Sequence, residues 1–231
     1  MSGTRTARDE LLDEEGRAGF LTHFLGAHRA FRRDAARFRL ALRRLGAPPD
    51  PGRRPDTDAL RGHWDDYRAA LAHHHHLEDA LLFPRLLDVD PAAAATIDDL
   101  TVQHHDLDHT IAVIDEALAG LPAPEGVERS ARALEELATA LGRHLDREER
   151  DLVPIMRTTV IDLGNDGAQT SVDRSEPDET GHAFVLPWVA DDLDEHVVAA
   201  LVDGVPPTMA DSFPRWQAAY TDRLERWHRP A

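Results

Sequence analysis

Apolar residues recur every three or four positions through four long segments of the chain, which is the spacing of helices with one buried face. The pattern predicts a first helix that begins after residue 12 and ends near Leu45, a second over 58–87, a third from Pro91 to Leu118 and a fourth over 127–157. The loops between them are too short for parallel crossovers. We therefore expect an all-α fold, with an up-down-up-down four-helix bundle over residues 15–160.

The C-terminal part of the chain has a different pattern. A polar, acidic stretch over 163–181 predicts a loop, and two shorter amphipathic segments over 191–202 and 213–227 predict two helices. Residues 161–231 thus form a predicted C-terminal extension, and residues 1–14 a flexible N-terminus. We expect the tryptophans of the extension to dock it onto the bundle; the alternative is that they line a substrate pocket or a partner surface.

Histidine and glutamate interrupt the apolar faces of the second and fourth helices. His74 and Glu78 lie four residues apart, as do His144 and Glu148, and each pair is followed by a second acid and by a proline ten residues after its histidine. Residues four apart share one face of a helix, and a buried carboxylate without a partner is very costly. The repeated arrangement therefore indicates a cation that the two acids neutralise together.

Two further histidines lie on apolar faces, His28 in the first helix and His104 in the third. A single such histidine is more often a core residue than a ligand, but several inward histidines together favour a metal site. His75 with Asp79 is an alternative to His74 with Glu78. Otherwise we place His75, His105 and His109 on solvated faces.

Composition narrows the chemistry. The chain of 231 residues has no cysteine, which excludes thiolate sites and leaves His, Asp and Glu as ligands for iron, manganese or zinc. Its net charge of −17 argues against nucleic acid and anionic membranes as partners. Without an apolar run of 18 residues or a signal-peptide pattern, we expect a cytoplasmic protein. No phosphate loop or nucleophile elbow is present.

The order of these residues resembles that of hemerythrin-like HHE cation-binding domains: His28, His74-x3-Glu78, His104 and His144-x3-Glu148. The resemblance covers about residues 15–157, and Phe184–Trp188 is similar to a C-terminal extension of some actinobacterial members. It implies a non-haem di-iron centre with two oxo- or hydroxo-bridged iron ions; manganese and zinc are alternatives. The implied ligands are these six residues: His28, His74, Glu78, His104, His144 and Glu148.

By helix adjacency, His28 and His74 would serve one iron and His104 and His144 the other, with both glutamates bridging. Six protein ligands leave positions open for O2, peroxide or NO, so the implied function is to bind or react with these molecules. One alternative is a di-iron oxidase or oxygenase whose small organic substrate lies in a pocket formed with the C-terminal extension. A second is metal storage or a structural bundle. Whether the protein is an enzyme stays open; if it is, it is a non-haem di-iron oxidoreductase, with an oxidase, oxygenase or peroxidase-like activity.

The third helix departs from the pattern of oxygen-carrying hemerythrins, which have two histidines one turn apart at this place. Here Asp108 follows His104 instead. We expect Asp108 to accept a hydrogen bond from a ligand or to be a further ligand. Fewer imidazoles would favour higher iron oxidation states and oxidation chemistry over reversible O2 binding.

Overall fold

The computed structural model of the protein describes residues 11–48, 54–158 and 179–228. Within these ranges the regular structure is helical, apart from one isolated bridge between Leu12 and Ala18. The elements are α1 (Phe20–Gly46), α2 (Thr57–Leu77), a π-helical turn (Glu78–Leu82), α3 (Phe83–Val89), a 3-10 turn (Pro91–Ala93), α4 (Ala94–Ala119), α5 (Pro124–Asp151), α6 (Val153–Thr158), α7 (Glu179–Ala190), α8 (Glu195–Asp203) and α9 (Pro207–Trp227). The all-α prediction is confirmed.

The four predicted bundle helices are present with altered ends. α1 begins at Phe20, later than predicted, and the predicted second helix is interrupted by the π-helical turn. The fourth ends at Asp151, and a short further helix follows. Residues 1–10 of the predicted flexible N-terminus and residues 163–178 of the predicted acidic loop lie outside the described residues. Among those described, no helix is both long and apolar enough to cross a membrane.

The chain divides into two compact units, Met1–Phe31 with Asp178–Arg223 and Arg32–Pro177 with Leu224–Ala231. In the second unit, polar contacts between neighbouring helices pair rising residue numbers in one helix with falling numbers in the other, so that these helices run antiparallel. These contacts are Arg32–Glu149, Arg39–Glu135, Trp64–Asp115, Thr101–Asp79, Arg147–Asp99 and Arg129–Glu116. The predicted up-down-up-down order follows from them.

Local chemistry explains where these helices begin and turn. Asp56 caps α2, because its side chain accepts hydrogen bonds from the backbone N–H groups of Asp58 and Ala59. Between α4 and α5 the backbone passes so close to itself that a Cβ on Gly126 would lie 2.5 Å from the carbonyl of Gly120. Only glycine fits at position 126, and it sets the tight entry into α5.

A buried charged network lies among α1, α2 and the end of α9 in the second unit. Asp34 is fully buried, and the imidazole of His63 lies 2.6 Å from its carboxylate, which also accepts a hydrogen bond from Arg37. Arg37 is itself buried beside this carboxylate. Trp227 stacks on Phe38 with ring centroids 4.9 Å apart, as the docking prediction expects of this tryptophan.

The first unit contains a helix that the sequence pattern did not predict. α7 includes Pro187, whose missing N–H and ring normally interrupt a helix. Phe184 and Trp188 are buried in this unit, and the ring of Trp188 packs edge-on against Phe31 at 4.8 Å. This burial outweighs the lost hydrogen bond, so the described part of the extension has three helices where the sequence pattern predicts two.

Candidate metal centre

The structure buries the predicted ligands. Glu78, His104, His144 and Glu148 have at most 2% of their surface exposed, and the His74 side chain has 12%. All five lie in the second unit. His28 is fully buried on the part of α1 that belongs to the first unit, where its ring lies 4.2 Å from that of Phe24. The role of each as a ligand stays a prediction.

Two groups of donor atoms converge within the second unit. The first consists of His75, Glu78, His104 and His144, each of which offers one nitrogen or oxygen within 4.8 Å of the others. His74, Glu78 and Glu148 offer atoms within the same distance of one another and form the second. Glu78 belongs to both groups, so its two carboxylate oxygens are available to two neighbouring cations.

The expected surface position of His75 is wrong. Only 4% of the surface of His75 is exposed, and its ring stacks on that of His104 with centroids 4.1 Å apart and planes 11° from parallel. His74 and His75 precede Glu78 by four and three residues, and both spacings bring a side chain to the same side of a helix. The apolar pattern selects His74, which lies on the apolar face, whereas the fold brings one of the two histidines to each donor group.

The π-helical turn shapes the segment that contains Glu78. The N–H of Phe83 donates to the carbonyl of Glu78, five residues back instead of four. Pro84 follows directly, and its ring and missing N–H disfavour a regular α-helical turn at this place. Glu78 points into the bundle while the next residue, Asp79, reaches α4, where it contacts Thr101 and His104.

Two imidazoles of the first group have a fixed orientation. The Nδ1 atom of His104 lies 3.0 Å from a carboxylate oxygen of Asp79, and Nδ1 of His144 lies 3.3 Å from the amide oxygen of Gln103. Both acceptors are oxygens, so each Nδ1 carries the proton and donates it. The unprotonated Nε2 atoms then face the two glutamates, which is the usual arrangement of metal-binding histidines.

The inward-facing atoms fit a cation. Among the described residues, both carboxylate oxygens of Glu78 and the Nε2 atoms of His104 and His144 are buried and lack a hydrogen-bond partner. Buried polar atoms in proteins almost always have one. The closest contact of a Glu78 oxygen to an imidazole in the site is 3.3 Å, from His74 Nε2. A metal ion would satisfy these converging lone pairs.

The pKa shifts of Glu78 and His104 are also consistent with a bound cation. Burial raises the pKa of Glu78 well above its ordinary value, and the neighbouring Glu148 raises it further. Burial also lowers the pKa of His104, against the opposing effect of Asp79, so the ring is neutral at pH 7. A bound cation would offset the cost of the charged glutamate and would bind the neutral imidazole.

Other expected residues lie outside the centre. Asp108 is exposed and belongs to neither donor group, so neither of its expected roles is favoured. His105 and His109 are exposed, as predicted. The second acid of the repeated pattern has two different roles, because Asp79 contacts His104 whereas Glu149 accepts a hydrogen bond from Arg32 at 2.7 Å. The repeated sequence pattern identifies this acid, but it does not show which residue the acid contacts.

Comparison with known proteins agrees with the site. The family model described as the hemerythrin HHE cation-binding domain matches residues 20–156, which include α1, α2, α4 and α5 and all six predicted ligands. A search of curated proteins and a search of solved structures each found no match. The matched part is more than half of the chain, and it contains both donor groups. The chain therefore belongs to the hemerythrin HHE cation-binding domain family.

Proposed function

We propose that the protein holds a non-haem di-iron centre inside the helical bundle and binds or reacts with O2, peroxide or NO there. The observation that carries this proposal is the pair of donor groups that share Glu78. One group would hold an ion with His75, His104 and His144, the other with His74 and Glu148, and Glu78 would contact both. The family resemblance also implies His28, which belongs to the first unit, as a ligand, and this stays a prediction.

The ligand types support iron over softer or harder ions. Neutral imidazoles suit borderline metals such as Fe(II), and carboxylates offset the charge of a higher oxidation state. With His75, the imidazoles assigned to the centre number five. The argument that a missing second histidine on the third helix disfavours reversible O2 binding therefore no longer holds, and both carriage and oxidation remain outcomes of the test below.

The residues of the chain have distinct roles around the centre. Glu78 and Glu148 neutralise cation charge, while Asp79 and Gln103 keep the Nε2 atoms of His104 and His144 turned inward. Apolar residues one helical turn away exclude bulk water from the ligands: Leu71, Leu100, Leu141 and Leu152, all buried. When bound, iron supplies coordination positions that are open to a small exogenous molecule.

Metal content tests the assignment. The protein is loaded with Fe(II) without oxygen, and iron per chain is measured after gel filtration. We expect two irons in the wild type, and a loss of at least one in the His75→Ala, His104→Ala and Glu148→Ala variants. Exposed His105 and His109 provide matched controls, since their alanine variants should keep both irons. Two irons in the His75 variant with an unchanged spectrum would show that this histidine is not a ligand.

The exogenous ligand is tested on the same loaded protein. O2, peroxide or NO is added in turn, and optical spectra and iron oxidation are followed over time. A reversible change with O2 indicates carriage, and consumption of many equivalents of peroxide indicates turnover. No spectral response to any of the three, at confirmed full loading, would contradict the proposal and favour a metal-storage or structural role.

A further inference from the structure

We propose that Asp79 is a positioning residue of the metal centre, which fixes the ring of His104 in the tautomer that presents Nε2 to the ion. This inference rests on the proposed function, because it assumes that His104 is a ligand. The two carboxylate oxygens of Asp79 lie 3.1 and 3.0 Å from Nδ1 of His104. Asp79 itself is part of neither donor group, so it acts through the histidine.

One short segment of the chain surrounds the His104 ring. The ring of His75 stacks on that of His104 with centroids 4.1 Å apart. The ring of Phe83 is also nearly parallel to it, with centroids 5.7 Å apart and an angle of 13° between the planes. The two ring nitrogens are contacted by consecutive acids, Nε2 by Glu78 at 3.5 Å and Nδ1 by Asp79. Residues 75–83 therefore restrict both the tilt and the rotation of this imidazole.

The π-helical turn makes these simultaneous contacts compatible. In a regular α-helix, consecutive residues are about 100° apart around the axis, so adjacent acids diverge from one another. A π-helical turn has more residues per turn and a smaller angle between neighbours, which lets Glu78 and Asp79 both reach α4. The turn begins at Glu78, and this position places the acid that neutralises charge beside the acid that orients the ring.

The two inward-facing imidazoles of α4 and α5 differ in their acceptors. His144 donates to the neutral amide of Gln103, whereas His104 donates to a carboxylate that is 37% exposed on its side chain. A charge-assisted hydrogen bond is stronger and makes the opposite nitrogen a better electron donor. His104 should therefore bind the ion more tightly than a histidine with a neutral acceptor would, and this contribution should depend on the charge of Asp79.

The first experiment reads the tautomer in metal-free protein. Two-bond 1H–15N spectra of the histidine rings are recorded on the full chain, with His104 assigned by its absence from a His104→Gln sample. We expect His104 with its proton on Nδ1 in the wild type, and on Nε2 in Asp79→Ala, where the carboxylate that accepts the Nδ1 proton is removed. An unchanged Nδ1–H tautomer in Asp79→Ala would overturn the proposal.

The second experiment measures metal affinity with Co(II), by competition against a chelator. Loss of a residue that orients a metal ligand typically weakens binding about 10- to 100-fold, and we expect Asp79→Ala to lie in this range. Asp79→Asn keeps an oxygen acceptor without its charge, so it should recover part of the affinity. Exposed Asp108 on α4 is the matched control, since Asp108→Ala removes the same charge and should bind as the wild type does.

The remaining outcomes are equally decisive. Wild-type affinity in Asp79→Ala, or no recovery in Asp79→Asn, would show that the contact does not position the ligand. A metal-free Asp79→Ala variant that melts well below the wild type would indicate a structural role instead. If the wild type takes up no metal, the proposed function fails, whereas the tautomer measurement still judges Asp79 by itself.

Discussion

Removing metal should lower the melting temperature of the protein by a predictable amount. The second unit buries six converging polar side chains, namely His74, His75, Glu78, His104, His144 and Glu148, and a ligand that binds only the folded state stabilises that state. At a free metal concentration of 100 times the Kd, one site contributes about 2.7 kcal/mol, so two occupied sites contribute about 5 kcal/mol. For a chain of this size each kcal/mol corresponds to about 2–4 °C, which predicts a difference of about 10–20 °C.

The assay is scanning calorimetry of iron-loaded and chelated protein, followed by amide exchange. Exchange in the chelated form should rise most around residues 74–78 and 144–148. It should change little around Asp34, whose carboxylate is contacted by His63 and accepts a hydrogen bond from Arg37. The global fold should survive chelation because apolar residues such as Phe38, Leu71 and Leu141 are still buried.

The variant Glu78→Ala is the internal control, since this one residue belongs to both donor groups. Its melting temperature should not respond to iron. Equal melting temperatures of loaded and chelated wild type, at confirmed full loading, would refute the coupling between metal and fold. A metal-dependent shift in the variant as large as in the wild type would show that Glu78 does not join the two groups.

Three further outcomes are expected. Asp34→Ala should lower the free energy of unfolding by about 3–5 kcal/mol in urea titrations, because the buried side chains of His63 and Arg37 lose the carboxylate that they contact. A loss below about 1 kcal/mol would contradict this. Burial alone would raise the pKa of Asp34, but the hydrogen bond from His63 and the charges of Arg33 and Arg37 lower it strongly. The stability that Asp34 contributes is therefore fully present above its unfolded pKa of about 3.9 and is lost as pH falls below that value. The difference in unfolding free energy between wild type and Asp34→Asn should accordingly shrink below about pH 4. Trp227→Ala should cost about 3–5 kcal/mol, since this fully buried ring stacks on Phe38; a variant as stable as the wild type would show that the end of α9 is not needed by the second unit.

The family pattern and most of the helices could be read from the amino-acid sequence. Helical periodicity located α1, α2, α4 and α5, and the spacing of His74 with Glu78 and of His144 with Glu148 indicated the metal centre. Both are properties of a single helix, because residues three or four apart share a face whatever lies opposite.

Only the tertiary structure decided which polar side chains meet across helices. Periodicity selected His74 and placed His75 on a solvated face, whereas the packing of α2 against α4 places His75 on His104. The role of Asp79 and the burial of Asp34 likewise depend on partners far away in the chain, His104 and His63. Burial of a charged side chain is favourable only beside a group of opposite charge or a hydrogen-bond partner. The sequence does not show that partner, so a charged residue is assigned to the surface until the packing of the helices is known.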